Sequence, residues 1–218
     1  MARGDQHEAL RMRLIDAAER TIAENGLVAL KARDLAREAG CAVGTIYNVF
    51  EHLDELVLCV GSRTLAMLET ALGAVLSPGR HGSVEEAVAD LVRLALAYLD
   101  FAATNRVRWR ALFEHRMSEA RPLPEWFVEQ QHVLFAQAER PLATLLPKLD
   151  PDARRILART LFSAVHGIVA LGLEEKLVSL PLPDLRNQVA ATVRAITSGR
   201  VELRFSDSAE RPADLHRG

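Results

Sequence analysis

The stretch ARDLAREAGCAVGTIYNVF, residues 32 to 50, decides the fold. Leu35 and Ala36 fall in one short helical pattern, Gly40 follows four residues after Ala36, and Ile46 six residues after that. Two helices that meet at a sharp turn need this set. The small Ala36 admits the second helix, Gly40 makes the turn, and Ile46 fills the wedge between them. Ala-x-x-x-Gly alone is a weak signal; the aromatic pair Tyr47 and Phe50 and the helical patterns on either side strengthen it. The spacing predicts a helix-turn-helix with helices over about residues 32–39 and 43–50.

Outward from this motif, apolar residues recur at three and four spacing, and no run alternates as a half-buried strand does. The expectation is an all-α chain of about nine helices. A first helix over about residues 7–25 carries Leu10, Leu14, Ile15, Ala18 and Ile22 on one face, with Asn25-Gly26 as a left-handed cap. A fourth begins near Asp54, its expected cap, and runs to about Leu76 before the breaker SPGRHG at 77–82. Ser83 opens a fifth, with Glu86 three residues on as a capping box. Further helices are expected over about 105–118, 124–146, 151–176 and 183–199, with a kink at Pro141. The polar tail from Ser206 has no face to bury and is expected to be disordered. The expected division is a DNA-binding unit at 1–53, a larger helical unit at 54–205 and the tail at 206–218.

Composition excludes several classes. The chain has 218 residues, 49 % of them hydrophobic, with a formal net charge of -2, so it has no global basic footprint and any DNA binding must come from local placement. Residues 1–60 contain seven Lys and Arg against ten Asp and Glu, which disfavours strong non-specific DNA affinity. The amino terminus has no apolar signal run, and no stretch reaches the roughly 20 uncharged apolar residues of a membrane span, so a cytoplasmic protein without a membrane partner is expected. Cys41 and Cys59 lack CxxC spacing and read as reduced packing residues. No GxSxG, phosphate-cradling glycine loop or HExxH occurs, and neither His115 nor His132 sits at ligand spacing. No enzyme, cofactor or metal is expected.

The helix closed by Gly26, RDLAREAG at 33–40, GTIYNVF at 44–50 and the long helix beginning DELVLCV together resemble the TetR family of one-component transcriptional regulators. VHGIVALGLE at 165–174 is similar to the penultimate helix of a carboxy-terminal subgroup marked by a His-Gly pair, known by the motif WHG. The resemblance implies that the third helix enters the major groove of a palindromic operator. It implies that Arg33 reaches a base or phosphate, that Thr45 and Tyr47 hold phosphates, and that Gly44 permits close approach to the bases. Asn48 would face the groove, where an amide pairs with adenine, and Val43 would meet thymine methyl groups. Lys31, Arg33 and Arg37 cluster at the second helix, and the free backbone donors following Ala42 favour a phosphate. The chain departs from the family at Lys31, Ala42, Val43 and Leu53, where serine or threonine, serine, a polar or basic residue and lysine are common. Phe50 reads as a core aromatic, and Thr45 and Tyr47 fall on a different face from it.

For the larger unit the resemblance implies homodimerisation and a small-molecule effector. LFSAVHGIVALGL at 161–173 is apolar nearly all round. Phe162, His166 and Gly167, with Val189 and Val193 of the last helix, are expected at an intersubunit four-helix bundle, the alternative being an intramolecular core. Met67, Tyr98, Phe101, Trp109, Phe113 and Met117 are candidate cavity residues, the alternative again being ordinary core. Arg108, Arg110 and His115 are the polar groups available to orient a ligand. The function this predicts is a repressor released from its operator by a small molecule. The rival is a helix-turn-helix protein of weakened DNA affinity that acts by binding a ligand or protein.

Overall fold

The computed structural model describes residues 2–76, 79, 83–117, 122–174 and 180–198. The expected tail from Ser206, most of the breaker at 77–82, and the last residues expected of helices ending at 118, 176 and 199 lie outside these. Among the described residues there are nine α-helices and no strand: α1 Ala2–Asn25, α2 Ala32–Ala39, α3 Val43–Val49, α4 Leu53–Gly73, α5 Val84–Thr104, α6 Arg106–Glu114, α7 Glu125–Leu145, α8 Pro151–Gly172 and α9 Leu182–Thr197. A single 3-10 turn, Leu27–Ala29, joins α1 to α2.

Two apolar clusters organise them. The first gathers Leu14, Ile15, Ala18 and Ile22 of α1, Leu35 and Ala36 of α2, Ile46 of α3, Phe50, and Leu56 and Val60 from the start of α4. The second gathers Leu68 and Leu72 from the end of α4, the inner face of α5, Trp109, and the facing sides of α8 and α9. One helix, α4, therefore contributes to both cores, and α6 does the same through Ala111 in the first and Trp109 in the second.

Several local expectations change. Asp54 does not cap α4: the helix starts one residue earlier with His52 at the cap, which makes no side-chain hydrogen bond. Asp54 is instead buried in the first turn, with Oδ1 3.4 Å from His115 Nε2. Gly26 has positive φ, but its ψ of 173° lies outside the left-handed helical region; this backbone is essentially restricted to glycine. Gly40 does adopt the left-handed conformation, at φ 68° and ψ 39°. Cys41 N–H closes onto Ala36 C=O at 2.9 Å, which satisfies a carbonyl at the helix end. Ser83 Oγ accepts from Glu86 N–H at 3.2 Å, as a helix cap should. Pro141 lies buried inside α7, which continues through it. The helices Leu53–Gly73 and Pro151–Gly172 are long and apolar enough to cross a membrane by length and composition, though each carries charged residues; α4 gives its inner face to both cores and α8 to the second.

Candidate functional site

The second helix of the motif splits its residues cleanly. Ile46 and the following Phe50 are completely buried, whereas Tyr47 is 52 % exposed, Val43 37 %, and Ala42, Gly44 and Asn48 are exposed, with Thr45 half-buried. The cause is periodicity: Ile46 and Phe50 lie four apart on the face toward α1, and the intervening residues turn outward. A Cβ placed on Gly44 would meet nothing within 4 Å, so that side of the helix is open to an approaching surface. Phe50 is further held by the Arg11 guanidinium, 5.1 Å from its ring centre.

Part of the acidic balance is taken up by internal pairing. Glu19 of α1 accepts from Arg63 of α4 at 2.5 Å and from Arg108 of α6, and Asp16 accepts from the same Arg63 at 2.7 Å. The two arginines hold the Glu19 carboxyl below the usual range even though its partial burial pushes the other way. Arg20 is bound to Glu38. Arg37, expected to join the basic cluster, is bound to Asp34 at 2.8 Å. Lys31 and Arg33 are exposed, with no hydrogen-bond or ion-pair partner among the described residues, and stand on the same unit as the open face of α3.

A partly open cavity of about 250 Å³ lies chiefly between α4, α6 and α7, with Ile22 of α1, Tyr98 of α5 and Phe162 of α8 also on its wall. Of the six residues expected there, Tyr98, Phe113 and Met117 line it. Met67 does not, because it sits on the outer side of α4, 42 % exposed. Phe101 and Trp109 do not either, because both are spent in the core. Arg108 and His115 reach the wall, whereas Arg110 turns to Glu114 and Glu174. Sequence reasoning missed Thr64, Gly61 and Leu65 of α4 and Phe127 and Gln131 of α7. Their helical pattern marks them as inward-facing, but pattern alone does not distinguish a filled interior from a hollow one.

Beside the cavity stands a cluster of rings. Trp109 Nε1–H donates to Tyr98 Oη at 2.8 Å, and that hydroxyl lies 2.7 Å from His166 Nδ1. Where His166 is neutral with its proton on Nε2, the hydroxyl donates to Nδ1. Burial lowers the His166 pKa, and it raises that of Tyr98 above the normal phenol range. Phe162 and Phe113 pack on the His166 ring, with centroids 5.6 and 4.2 Å away. His166 and Phe162, expected at a subunit interface, thus turn into their own chain. Val189 and Val193, also expected there, are completely buried between α9, α5 and α8 within the chain. Gly172 is where α8 and α9 approach closely, since a Cβ there would stand 2.4 Å from Leu185 Cδ1. Gly167 faces open space.

Comparison with known proteins adds the family. A model described as bacterial regulatory proteins, tetR family, matches residues 14–59, and one described as tetracyclin repressor-like, C-terminal domain, matches 91–196. The HTH-type transcriptional regulator BetI of Brucella anthropi is 30 % identical over 109 residues, which are 50 % of this chain and 55 % of BetI, so the match spans about half of the relative. Among solved structures, a protein of unknown function from Rhodococcus sp. RHA1 superposes with TM-score 0.64 at 24 % identity, covering 84 % of this chain and 93 % of that one. A tetR-family transcriptional regulator from Streptomyces coelicolor superposes with TM-score 0.60 at 18 % identity, covering 89 % and 84 %; at such identities the likeness speaks for the fold. The His-Gly pair does fall in the penultimate helix, but the matched carboxy-terminal description does not name that subgroup. With both halves matched and the buried and exposed faces of α2 and α3 arranged as a helix-turn-helix requires, the chain belongs to the TetR family of transcriptional regulators, which bind DNA through this motif.

Proposed function

We propose that this regulator is a cytoplasmic homodimeric repressor that a small molecule in the α4–α6–α7 cavity releases from a palindromic operator. One observation carries the reading: Ile22 of α1, Val60 of α4 and Ala111 of α6 belong at once to the cavity wall and to the core of the helix-turn-helix unit. A ligand that displaces these side chains displaces the support of α3. Packed interiors pass such shifts on, because they do not absorb volume change locally. In the dimer, Lys31, Arg33, Thr45 and Tyr47 hold phosphates, and Val43, Gly44 and Asn48 face the bases, with Ala42 at the entry to the groove. The two α3 helices sit about 34–36 Å apart, one DNA turn. A coupling of about 1–3 kcal/mol then weakens operator binding roughly 5- to 150-fold. The second copy packs on the outer faces of α8 and α9, where Gly167 is open and Leu171 is 60 % exposed.

Selection of genomic fragments by the purified protein, followed by footprinting, tests this; a protected palindrome is the expected result. With about two phosphates neutralised per subunit, log K falls with log salt at a slope near -3.6. A slope as steep as about -8 contradicts the small free basic set. The acid excess of residues 1–60 favours a second reading, a protein that kept the fold and lost DNA affinity. That reading stands if selection enriches no site.

A further inference from the structure

The chain is poor in aromatic residues: two Trp, two Tyr and seven Phe make up 5 % of it. Five of these eleven, Tyr98, Phe113, Phe127, Phe135 and Phe162, border the cavity of about 250 Å³. They come from α5, α6, α7 and α8, so neither composition nor periodicity brings them together; packing does. The usual work of such rings is to fill a core. Here they border unfilled space, and Phe113 remains 47 % exposed although Trp109 and His166 pack on it.

The way the rings meet one another sets the chemistry of the wall. Phe135 meets Phe162 edge to face at 5.3 Å and 78°, and Phe162 meets Tyr98 at 5.3 Å and 74°. Tyr98 meets Trp109 at 6.2 Å and 68°, and Trp109 meets Phe113 at 5.5 Å and 61°. Four members of this row, all but Trp109, stand on the cavity wall. Each ring has a negative face and a positive edge. Whichever of the two a wall ring turns toward the cavity, an aromatic guest carries the complementary part; a saturated guest carries neither. The volume agrees, since a cavity of about 150 Å³ is enough to hold benzene.

We infer that the cavity takes a compact aromatic molecule of one or two rings, held by contact with this row. The assignment rests on the regulatory reading only in making that molecule the effector. Calorimetric titration of the full-length protein tests it with two probes, naphthalene-2-methanol and its fully saturated counterpart, decahydronaphthalene-2-methanol. The two share a carbon skeleton and a hydroxymethyl group, and the saturated one has the larger apolar surface. A wall that is merely apolar therefore binds the saturated probe as tightly or more tightly. The ring row is expected to bind the aromatic probe at least about 5-fold more tightly. Phe113→Leu and Phe135→Leu each remove one end of the row and keep the position apolar. Each is expected to weaken the aromatic probe about 2- to 10-fold and the saturated probe by less than about 2-fold, a split that general loosening of the fold does not produce. The assignment is overturned if the saturated probe binds as tightly as the aromatic one, if both variants lose the two probes equally, or if neither probe binds. Mobility shift with a selected operator is read separately. An aromatic probe that binds without releasing DNA supports the cavity chemistry and counts against the regulatory reading.

Discussion

Ile46 and Tyr47 are neighbours on a seven-residue helix, one completely buried and the other half exposed; around Tyr98 no such division exists. There a single hydroxyl ties Trp109 to His166, and the same Tyr98 is at once core, ring partner and cavity wall. In the helix-turn-helix unit, the buried residues and the outward residues proposed to meet DNA are separate side chains. In the larger unit core and cavity wall share side chains, so a change made at the wall also alters the core. The difference follows from shape: a small motif reads DNA with its outside, whereas a cavity must be cut from the inside.

Substitution tests this division, and the largest effect is expected at Ile46. Ile46→Ala should cost about 2–5 kcal/mol in urea unfolding and abolish operator binding with it. Tyr47→Phe and Asn48→Ala should move stability by less than about 0.5 kcal/mol while each weakens operator binding severalfold in a mobility shift. If Tyr47→Phe unfolds the protein as Ile46→Ala does, the separation is wrong. In the larger unit, Tyr98→Phe strands the buried Trp109 N–H and should cost about 1–3 kcal/mol, and the midpoint of ligand-induced release should shift in the same variant. A stable Tyr98→Phe with unchanged ligand response would break the shared-role half of the comparison.

The two α8 glycines give a finer test. Gly172→Ala drives a methyl group against Leu185 and should cost about 1–3 kcal/mol. Gly167→Ala meets open space within the chain and should add up to about 1 kcal/mol of helix stability, unless a second copy covers it, in which case analytical ultracentrifugation will show weaker self-association. The smallest expected effect is a pH slope. The pKa values of His115 and His166 are both lowered by burial, the first opposed by Asp54. The unfolded chain, whose histidines titrate near 6.5, therefore binds more protons in this range. Stability is full above that value and is lost as pH falls through about 6.5 toward the lower folded values. Melting followed from pH 8 to pH 5 should show this decline, and His166→Gln should flatten it.

The helix-turn-helix was legible because its logic is local. Ala36, Gly40 and Ile46 lie within eleven residues, and helix periodicity converts that spacing directly into a turn, a wedge and an outward face. The sequence by itself thus determined the all-α class, the element order, the turn at Gly40, the buried wedge at Ile46 and the outward residues around it. Only the tertiary structure decided which inward residues fill space and which border it. It moved Met67, Phe101 and Trp109 off the cavity wall, folded Val189 and Val193 into their own chain, and brought Asp54 to His115 and Glu19 to Arg108. Those pairings join residues 61 and 89 positions apart, and no periodicity carries across such separations; they exist only once α1, α4 and α6 have packed.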